Sequence, residues 1–184
     1  MRNLIFAINL SLDGCCDHTK MNGDEEIHDY FTQLMQDIDL MVYGRITYQL
    51  MVPFWPDVAK SKSGPTKAYN DFAQKFDSLD KIVISKTLSS VEDSNSRIIR
   101  TNIKDEILKL KQQPGKAMMT GGVSIPTHLI ELGLVDEFVF LIRPVVVGEG
   151  RRLLDHASLQ ENLQLKLVES RIFKSGGIAL RYSK

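Results

Sequence analysis

Asp39-Leu-Met-Val-Tyr-Gly-Arg-Ile-Thr-Tyr48 and Lys116-Ala-Met-Met-Thr-Gly-Gly-Val-Ser-Ile125 follow one plan: an apolar run, then glycine, then sequence able to start a helix. The apolar runs read as buried strands and the glycines as turns. A helix that begins directly behind such a turn aims unpaired backbone N–H groups, and the positive end of its dipole, at whatever lies above the strand. That arrangement suits phosphate. Two such turns can hold the two halves of one dinucleotide.

Upstream, residues 2–11 carry no breaker and read as a first strand closed by the Asp13-Gly14 turn. Between Asp24 and Gln36, the apolar residues Ile27, Tyr30, Phe31, Leu34 and Met35 recur at helical spacing, which completes a βαβ unit. Downstream, Thr47 to Met51 continues as a short helix that Pro53-Phe-Trp-Pro56 is expected to end, followed by a polar loop over 57–66. A helix from about Thr66 to Phe76 leads to a short apolar strand, Lys81 to Ser85. Arg97 to Arg100 reads as another strand and Ile103 to Lys111 as a helix, broken by Pro114-Gly115 before the strand at 116–120. Ile125, Leu129, Ile130 and Leu132 mark a helix ending near Gly133, and Val135 to Val147 reads as one long strand interrupted by Pro144. Leu163 to Arg171 and Ile178 to Tyr182 alternate around Gly176-Gly177 as an antiparallel hairpin. The expected fold is α/β: a mixed, mostly parallel sheet with helices on both faces and an antiparallel C-terminal end.

The 184 residues suit one domain spanning 1–184. Lys plus Arg and Asp plus Glu are 23 each, so no global field draws the chain to nucleic acid or an anionic membrane. No apolar run approaches the roughly 18–20 residues of a membrane span, and Met1 to Leu10 lacks a cleavage pattern and reads as strand. The adjacent Cys15 and Cys16 neither close a useful loop nor supply zinc-site spacing, which points to a reducing compartment, cytoplasmic, and to no metal.

Ligands of open α/β sheets lie beyond the carboxyl ends of the parallel strands. Gly44, Ser85 and Gly121-Gly122 all fall at such ends and so share one rim. Arg45 and Thr47 follow the first, and Lys86 and Thr87 the second; these groups suit a pyrophosphate and the 2′-phosphate that separates NADPH from NADH. Neither the G-x-G-x-x-G fingerprint nor a P-loop is present, which disfavours a standard Rossmann dehydrogenase and a P-loop NTPase.

Taken in order, Ala7-Ile-Asn-Leu-Ser-Leu-Asp-Gly14, Val42-Tyr-Gly-Arg-Ile-Thr-Tyr48, Ile82-Val-Ile-Ser-Lys86, Thr120-Gly-Gly122, Leu132-Gly-Leu-Val-Asp-Glu137 and Pro144-Val-Val-Val-Gly-Glu-Gly150 resemble the dihydrofolate reductase superfamily. The closer likeness is to the reductase domain of bacterial riboflavin biosynthesis proteins and its stand-alone relatives, over about residues 3–182. The resemblance implies a three-layer sandwich around a sheet of about eight strands, NADPH bound across the rim, and a homodimer. It places cofactor phosphates at Gly44, Arg45, Thr47, Ser85 and Lys86, the pyrophosphate over Gly121, Gly122, Val123, Ser124 and Ile125, and the nicotinamide near Ala7 and Ile8. It also implies a cis bond between Gly121 and Gly122.

On the substrate side the resemblance is looser. Dihydrofolate reductases anchor their pterin by a carboxylate near the start of the first helix; Asp24, Glu25, Glu26 and Asp29 lie there, but none aligns cleanly. His28 is a candidate proton donor. The riboflavin-type turns are matched by Ser11-Leu-Asp13-Gly14 and Gly148-Glu149-Gly150, making Asp13 and Glu149 the candidate catalytic and substrate contacts. Trp55, the single tryptophan, is a candidate cleft residue. The zinc deaminase motifs of the two-domain riboflavin proteins are missing. The expected activity is an NADPH-dependent reductase acting on a small polar heterocyclic or ribosylamino substrate, like 5-amino-6-(5-phosphoribosylamino)uracil reductase. The alternatives are a dimeric NADPH- or ligand-binding accessory protein without turnover and a dihydrofolate reductase-like enzyme.

Overall fold

Eight strands form one sheet in the order β4-β3-β2-β5-β1-β6-β8-β7. The computed structural model describes residues 1–21, 23–155, 157–159 and 161–184. Strands β1 (Leu4–Leu10), β2 (Ile38–Gly44), β3 (Asp80–Ile84), β4 (Ser96–Ile99), β5 (Ala117–Thr120) and β6 (Glu137–Ile142) run parallel. The hairpin of β7 (Lys166–Ile172) and β8 (Ile178–Ser183) closes the sheet antiparallel to β6.

Strand β1 lies between β5 and β6 and is buried on both faces, which is why Leu4-Ile-Phe-Ala-Ile-Asn-Leu10 is almost continuously apolar. Its even positions, Leu4, Phe6, Ile8 and Leu10, pack beneath α5 (Ile103–Gln112) and α6 (Ser124–Glu131). Its odd positions Ile5 and Ala7 face the opposite layer: α1 (Glu25–Met35), α2 (Arg45–Met51), α3 (Phe54–Ser61) and α4 (Lys67–Asp77). The result is the expected three-layer arrangement. Each fully buried Leu, Ile or Phe contributes on the order of 1.5–3 kcal/mol through removal of apolar surface from water.

Four local expectations need correction. Helix α2 ends at Met51, ahead of Pro53 as expected, but the chain does not then pass into a loop: Pro53 and Pro56 begin α3, which occupies much of the segment read as loop. Pro53 caps the helix and Pro56 sits in its first turn, where a missing N–H breaks no intrahelical bond. The strand expected to reach Val147 stops at Ile142, because Pro144 cannot extend the ladder. The Gly121–Gly122 bond is trans; Gly122 turns the chain instead by adopting a positive φ of 85°.

Gly44 is not a turn either. It is the last residue of β2 in extended conformation, φ −81° and ψ 163°, and caps α2, which starts at the next residue.

Candidate functional site

The carboxyl ends of β1, β2 and β5 open into a cleft of about 530 Å³. Its floor consists of Ala7, Ile8 and Asn9 from β1 with Thr120, Gly121 and Gly122 from the end of β5. Helix α1 supplies Ile27, His28 and Phe31; α2 and α3 supply Thr47, Met51, Phe54 and Trp55. Arg143, just beyond β6, closes one side.

Glycine is required where the two glycine-bearing segments meet. A Cβ on Gly44 would lie 2.8 Å from Cγ1 of Ile125, and one on Gly122 would overlap the Thr47 hydroxyl. A Cβ on Gly121 would come within 3.3 Å of the Ala7 carbonyl oxygen. The starts of α2 and α6 therefore interlock, and the three strand ends close up to backbone distance.

Neither α2 nor α6 has a side chain capping its first turn. Arg45 at the start of α2 is exposed and bonds Gln49 Oε1 at 2.9 Å. Lys86 is exposed on the loop after β3. Arg151, which sequence reading passed over, reaches the same rim: its Nη2 donates to Ser124 Oγ at 2.9 Å. Ser85 is committed to its own loop, its hydroxyl oxygen accepting the N–H groups of Thr87 and Leu88 at 3.2 and 3.0 Å. Uncapped helix starts, nearby cations and glycines that admit close approach form a donor set suited to a dinucleotide's phosphates.

Behind the loop that carries Ser85 and Lys86 lies a buried polar network. The Tyr48 hydroxyl donates to Asp93 Oδ1 at 2.7 Å and accepts the Glu92 N–H at 2.9 Å. Asp93 in turn stands 3.3 Å from the Lys81 ammonium, which donates to the Leu79 carbonyl at 2.8 Å. Tyr48 thus fastens α2 to the Ser85–Asn95 connection.

Opposite the rim stands an aromatic wall. The His28 ring lies 4.8, 5.6 and 5.9 Å from the centroids of Tyr69, Phe72 and Trp55, and Trp55 is 4.5 Å from Phe72. Nδ1 of His28 is 2.8 Å from the Asp24 carbonyl oxygen, so it carries the proton and Nε2 is the lone-pair nitrogen. Burial pulls the His28 pKa below its ordinary value, against a weaker upward pull from the Asp24 carbonyl.

Asp13 and Glu149 are not among the described residues lining this cleft. Asp13 instead ties the turn after β1 to the segment after β6, accepting from Ser11 Oγ at 2.6 Å, Val147 N at 3.0 Å and Gly148 N at 2.9 Å. The Ser11 hydroxyl, then the two amides, hold its carboxyl well below the usual range. Glu149 pairs with Lys20 at 3.0 Å on the surface.

Asn9 was not singled out from the sequence. It lines the cleft floor, and its Oδ1 is buried without a hydrogen-bond partner among the described residues. The available signal was its position as the single polar side chain of β1.

Known proteins place this architecture. The chain is 34% identical to the uncharacterized protein YyaP of Bacillus subtilis (strain 168), over 98% of this chain and 94% of that one. Its structure is similar to a pyrimidine reductase-like protein of Corynebacterium diphtheriae, with TM-score 0.67, 16% identity, and 99% and 91% of the two chains covered. It is also similar to Enterococcus faecalis dihydrofolate reductase, solved with NADP(H), with TM-score 0.61, 13% identity, and 98% and 95% covered. The fold is therefore dihydrofolate reductase-like. Among the described residues no helix is long and apolar enough to cross a membrane. With residues 2–178 matching the RibD C-terminal domain, on a sheet whose parallel strand ends converge on one cleft, the chain belongs to the RibD C-terminal domain family.

Proposed function

We propose that this protein is an NADPH-dependent reductase that passes hydride to a small heterocyclic substrate held in the 530 Å³ cleft. The observation that carries this reading is the meeting of the β1, β2 and β5 ends, where Gly44, Gly121 and Gly122 leave no room for side chains and two uncapped helices begin. NADPH supplies the hydride from its nicotinamide ring. The chain binds and orients: Ala7 and Ile8 support the nicotinamide end, while Thr47, Gly121, Gly122 and the Val123–Ile125 backbone hold the pyrophosphate. Arg45, Ser85 and Lys86 form the far end, with Arg45 and Lys86 favouring a 2′-phosphate. The apolar wall around Trp55 excludes water from the reacting atoms.

Thermal unfolding with NADPH, NADH or neither tests this. At about a hundred times Kd a ligand adds about 2.7 kcal/mol, a shift of roughly 5–10 °C for a chain this size. Lys86→Ala and Arg45→Ala should weaken NADPH about ten-fold and NADH little, as expected for one lost charge-assisted phosphate contact. No shift with either cofactor overturns the reading; equal losses remove the 2′-phosphate role.

One observation favours a second reading. No carboxylate is among the described residues lining the cleft, so the proton that accompanies hydride has no acidic side-chain source there. A ligand-binding protein without turnover would show NADPH protection but no NADPH oxidation across a substrate panel containing dihydrofolate and the riboflavin intermediate.

We also infer a homodimer through β7. This edge strand is exposed along all seven residues, with Leu167, Val168 and Ile172 at 51%, 57% and 78% exposure. An exposed edge strand that carries apolar side chains among its charged ones offers unpaired N–H and C=O groups to a second copy.

A further inference from the structure

The connection between β3 and β4, residues 85–95, contains neither helix nor strand, so no backbone ladder fixes where its exposed Lys86 stands. Its start is set by the sheet. Gly44 and Ile84 are register partners on adjoining parallel strands, so the chain leaves β2 at Arg45 and β3 at Ser85 side by side. Neighbouring strands lie about 4.8 Å apart, which puts the backbone of Ser85-Lys86 next to that of Gly44-Arg45.

Beyond Lys86 the connection is held by side chains. Ser85 Oγ gathers the Thr87 and Leu88 N–H groups, Leu88 and Val91 pack on the core beneath, and Arg100 Nη2 donates to the Ser89 carbonyl at 3.2 Å. Asn95 closes the far end, its Nδ2 donating to the Asp77 and Leu79 carbonyls at 2.7 and 2.8 Å. None of these hydrogen bonds reaches α2, the helix that carries Arg45 and Thr47.

Among the described residues, α2 and the connection share two hydrogen bonds, and the Tyr48 hydroxyl makes both. It grips the last part of the connection, donating to Asp93 Oδ1 and accepting the Glu92 N–H. Burial raises the Tyr48 pKa, so the hydroxyl keeps the proton it donates. The residue is 1% exposed and lies in one core cluster with Val52 and Phe76, so packing fixes where its hydroxyl points. Asp93 is anchored in turn by the buried Lys81 ammonium near the start of β3. Past the end of the ladder, the spacing between α2 and the Lys86 connection is therefore set by one hydroxyl. A lysine on an untied loop has to be ordered by the ligand it meets, which costs affinity, whereas a lysine on a loop already held does not.

We propose that Tyr48 is a positioning residue for cofactor choice: its hydroxyl holds the 85–95 connection against α2, so that Lys86 and Arg45 stand together at the 2′-phosphate of NADPH. The inference rests on the NADPH reading of the rim. Tyr48 itself is buried behind the rim and acts through Lys86.

Kd values for NADPH and NADH, measured by titration calorimetry on wild type, Tyr48→Phe, Lys86→Ala and the double variant, test this. Tyr48→Phe should weaken NADPH about five-fold and NADH less than about two-fold. In the Lys86→Ala background it should cost NADPH nothing further, because the contact it positions is already gone. Without any cofactor, exchange of the Glu92 amide proton should quicken about ten-fold in Tyr48→Phe, since its acceptor is lost. If Tyr48→Phe gives no cooperative thermal transition, Asp93→Asn, which keeps the shape but weakens the acceptor of the Tyr48 hydroxyl, replaces it with the same expected outcomes. Equal weakening of both cofactors, an unchanged NADPH Kd, an undiminished loss in the Lys86→Ala background or unchanged Glu92 exchange overturns the proposal. NADPH binding that falls with Lys86→Ala but not with Tyr48→Phe leaves the cofactor reading standing and removes the role of Tyr48. A wild-type chain that binds neither cofactor removes both.

Discussion

A Cβ on Gly44 would stand 2.8 Å from Cγ1 of Ile125, and a Cβ on Gly122 would overlap the Thr47 hydroxyl in the same way. Each glycine therefore makes room for a side chain of the other segment. At Gly122 the conformation adds a second constraint, since its φ of 85° is strained for an L side chain. Gly122→Ala should lose about 2–4 kcal/mol, combining backbone strain with overpacking. Adding Thr47→Ala should recover the overpacking part, giving a double variant more stable than the sum of the singles. Urea unfolding of the four proteins measures this; strict additivity would mean that Thr47 does not press on residue 122.

The Tyr48, Asp93 and Lys81 network makes a graded prediction. Asp93→Ala leaves the Lys81 ammonium buried and unpaired, a loss of about 3–5 kcal/mol. Tyr48→Phe removes only the hydroxyl that bridges Asp93 and the Glu92 N–H, about 1–2 kcal/mol. Lys81→Met in the Asp93→Ala background removes the stranded charge and should regain part of the loss. If Asp93→Ala proves no worse than Tyr48→Phe by urea unfolding, Lys81 does not depend on Asp93.

How much of this was legible beforehand depends on the range of the interaction. The parallel strands showed themselves because a strand buried on both faces, such as Val42 in β2 or Phe6 in β1, is written in continuous apolar sequence. Helix α1 was readable from Ile27, Tyr30, Leu34 and Met35 alone. Pro53 was rightly read as following the end of α2, but nothing local showed that the same proline also caps α3. Val145 and Val146 read as strand yet stand exposed beyond the β6 ladder. Gly44 and Gly122 were visible as glycines, but the reason for them, Ile125 and Thr47, lies about 80 residues away in sequence and belongs to packing. The same holds for Asp13, whose partners at Val147 and Gly148 no local pattern predicts.

Asp13 predicts a pH dependence. Its folded-state pKa is depressed by the Ser11 hydroxyl and then the Val147 and Gly148 amides, so its contribution is present above the unfolded value of about 3.9 and lost as pH falls toward the folded value. Asp13→Asn keeps the shape but not the charge. Wild type should be the more stable at pH 6, and the difference should shrink steadily below about pH 4. A difference independent of pH in urea midpoints would show that the carboxylate charge plays no part in holding the loop.

The exposed β7 strand predicts its own disruption. A lysine at Val168 or Ile172 puts charge on the edge that would pair with a second copy. Sedimentation should show a dimer for wild type and a monomer for the double variant, with the NADPH thermal shift retained. A monomeric wild-type protein removes the edge-pairing scheme altogether.

His28 supplies the reverse pH case on the cleft wall. Its folded pKa lies below the ordinary 6.5 because burial among Trp55, Tyr69 and Phe72 disfavours the cation. The unfolded chain therefore takes up the proton first as pH falls, so stability is full above about pH 6.5 and declines from there toward the folded pKa. His28→Phe removes the titrating group, and its unfolding midpoint should be flat over the window in which wild type declines. Trp55 adds a local readout, because an imidazolium 5.9 Å from its ring changes its emission. The emission of folded wild type should titrate with a midpoint below 6.5, and His28→Phe should abolish it. A midpoint at or above 6.5 would mean that His28 is solvated, that the aromatic wall is open to water, and that the cleft lacks the dry surface on which ring binding depends.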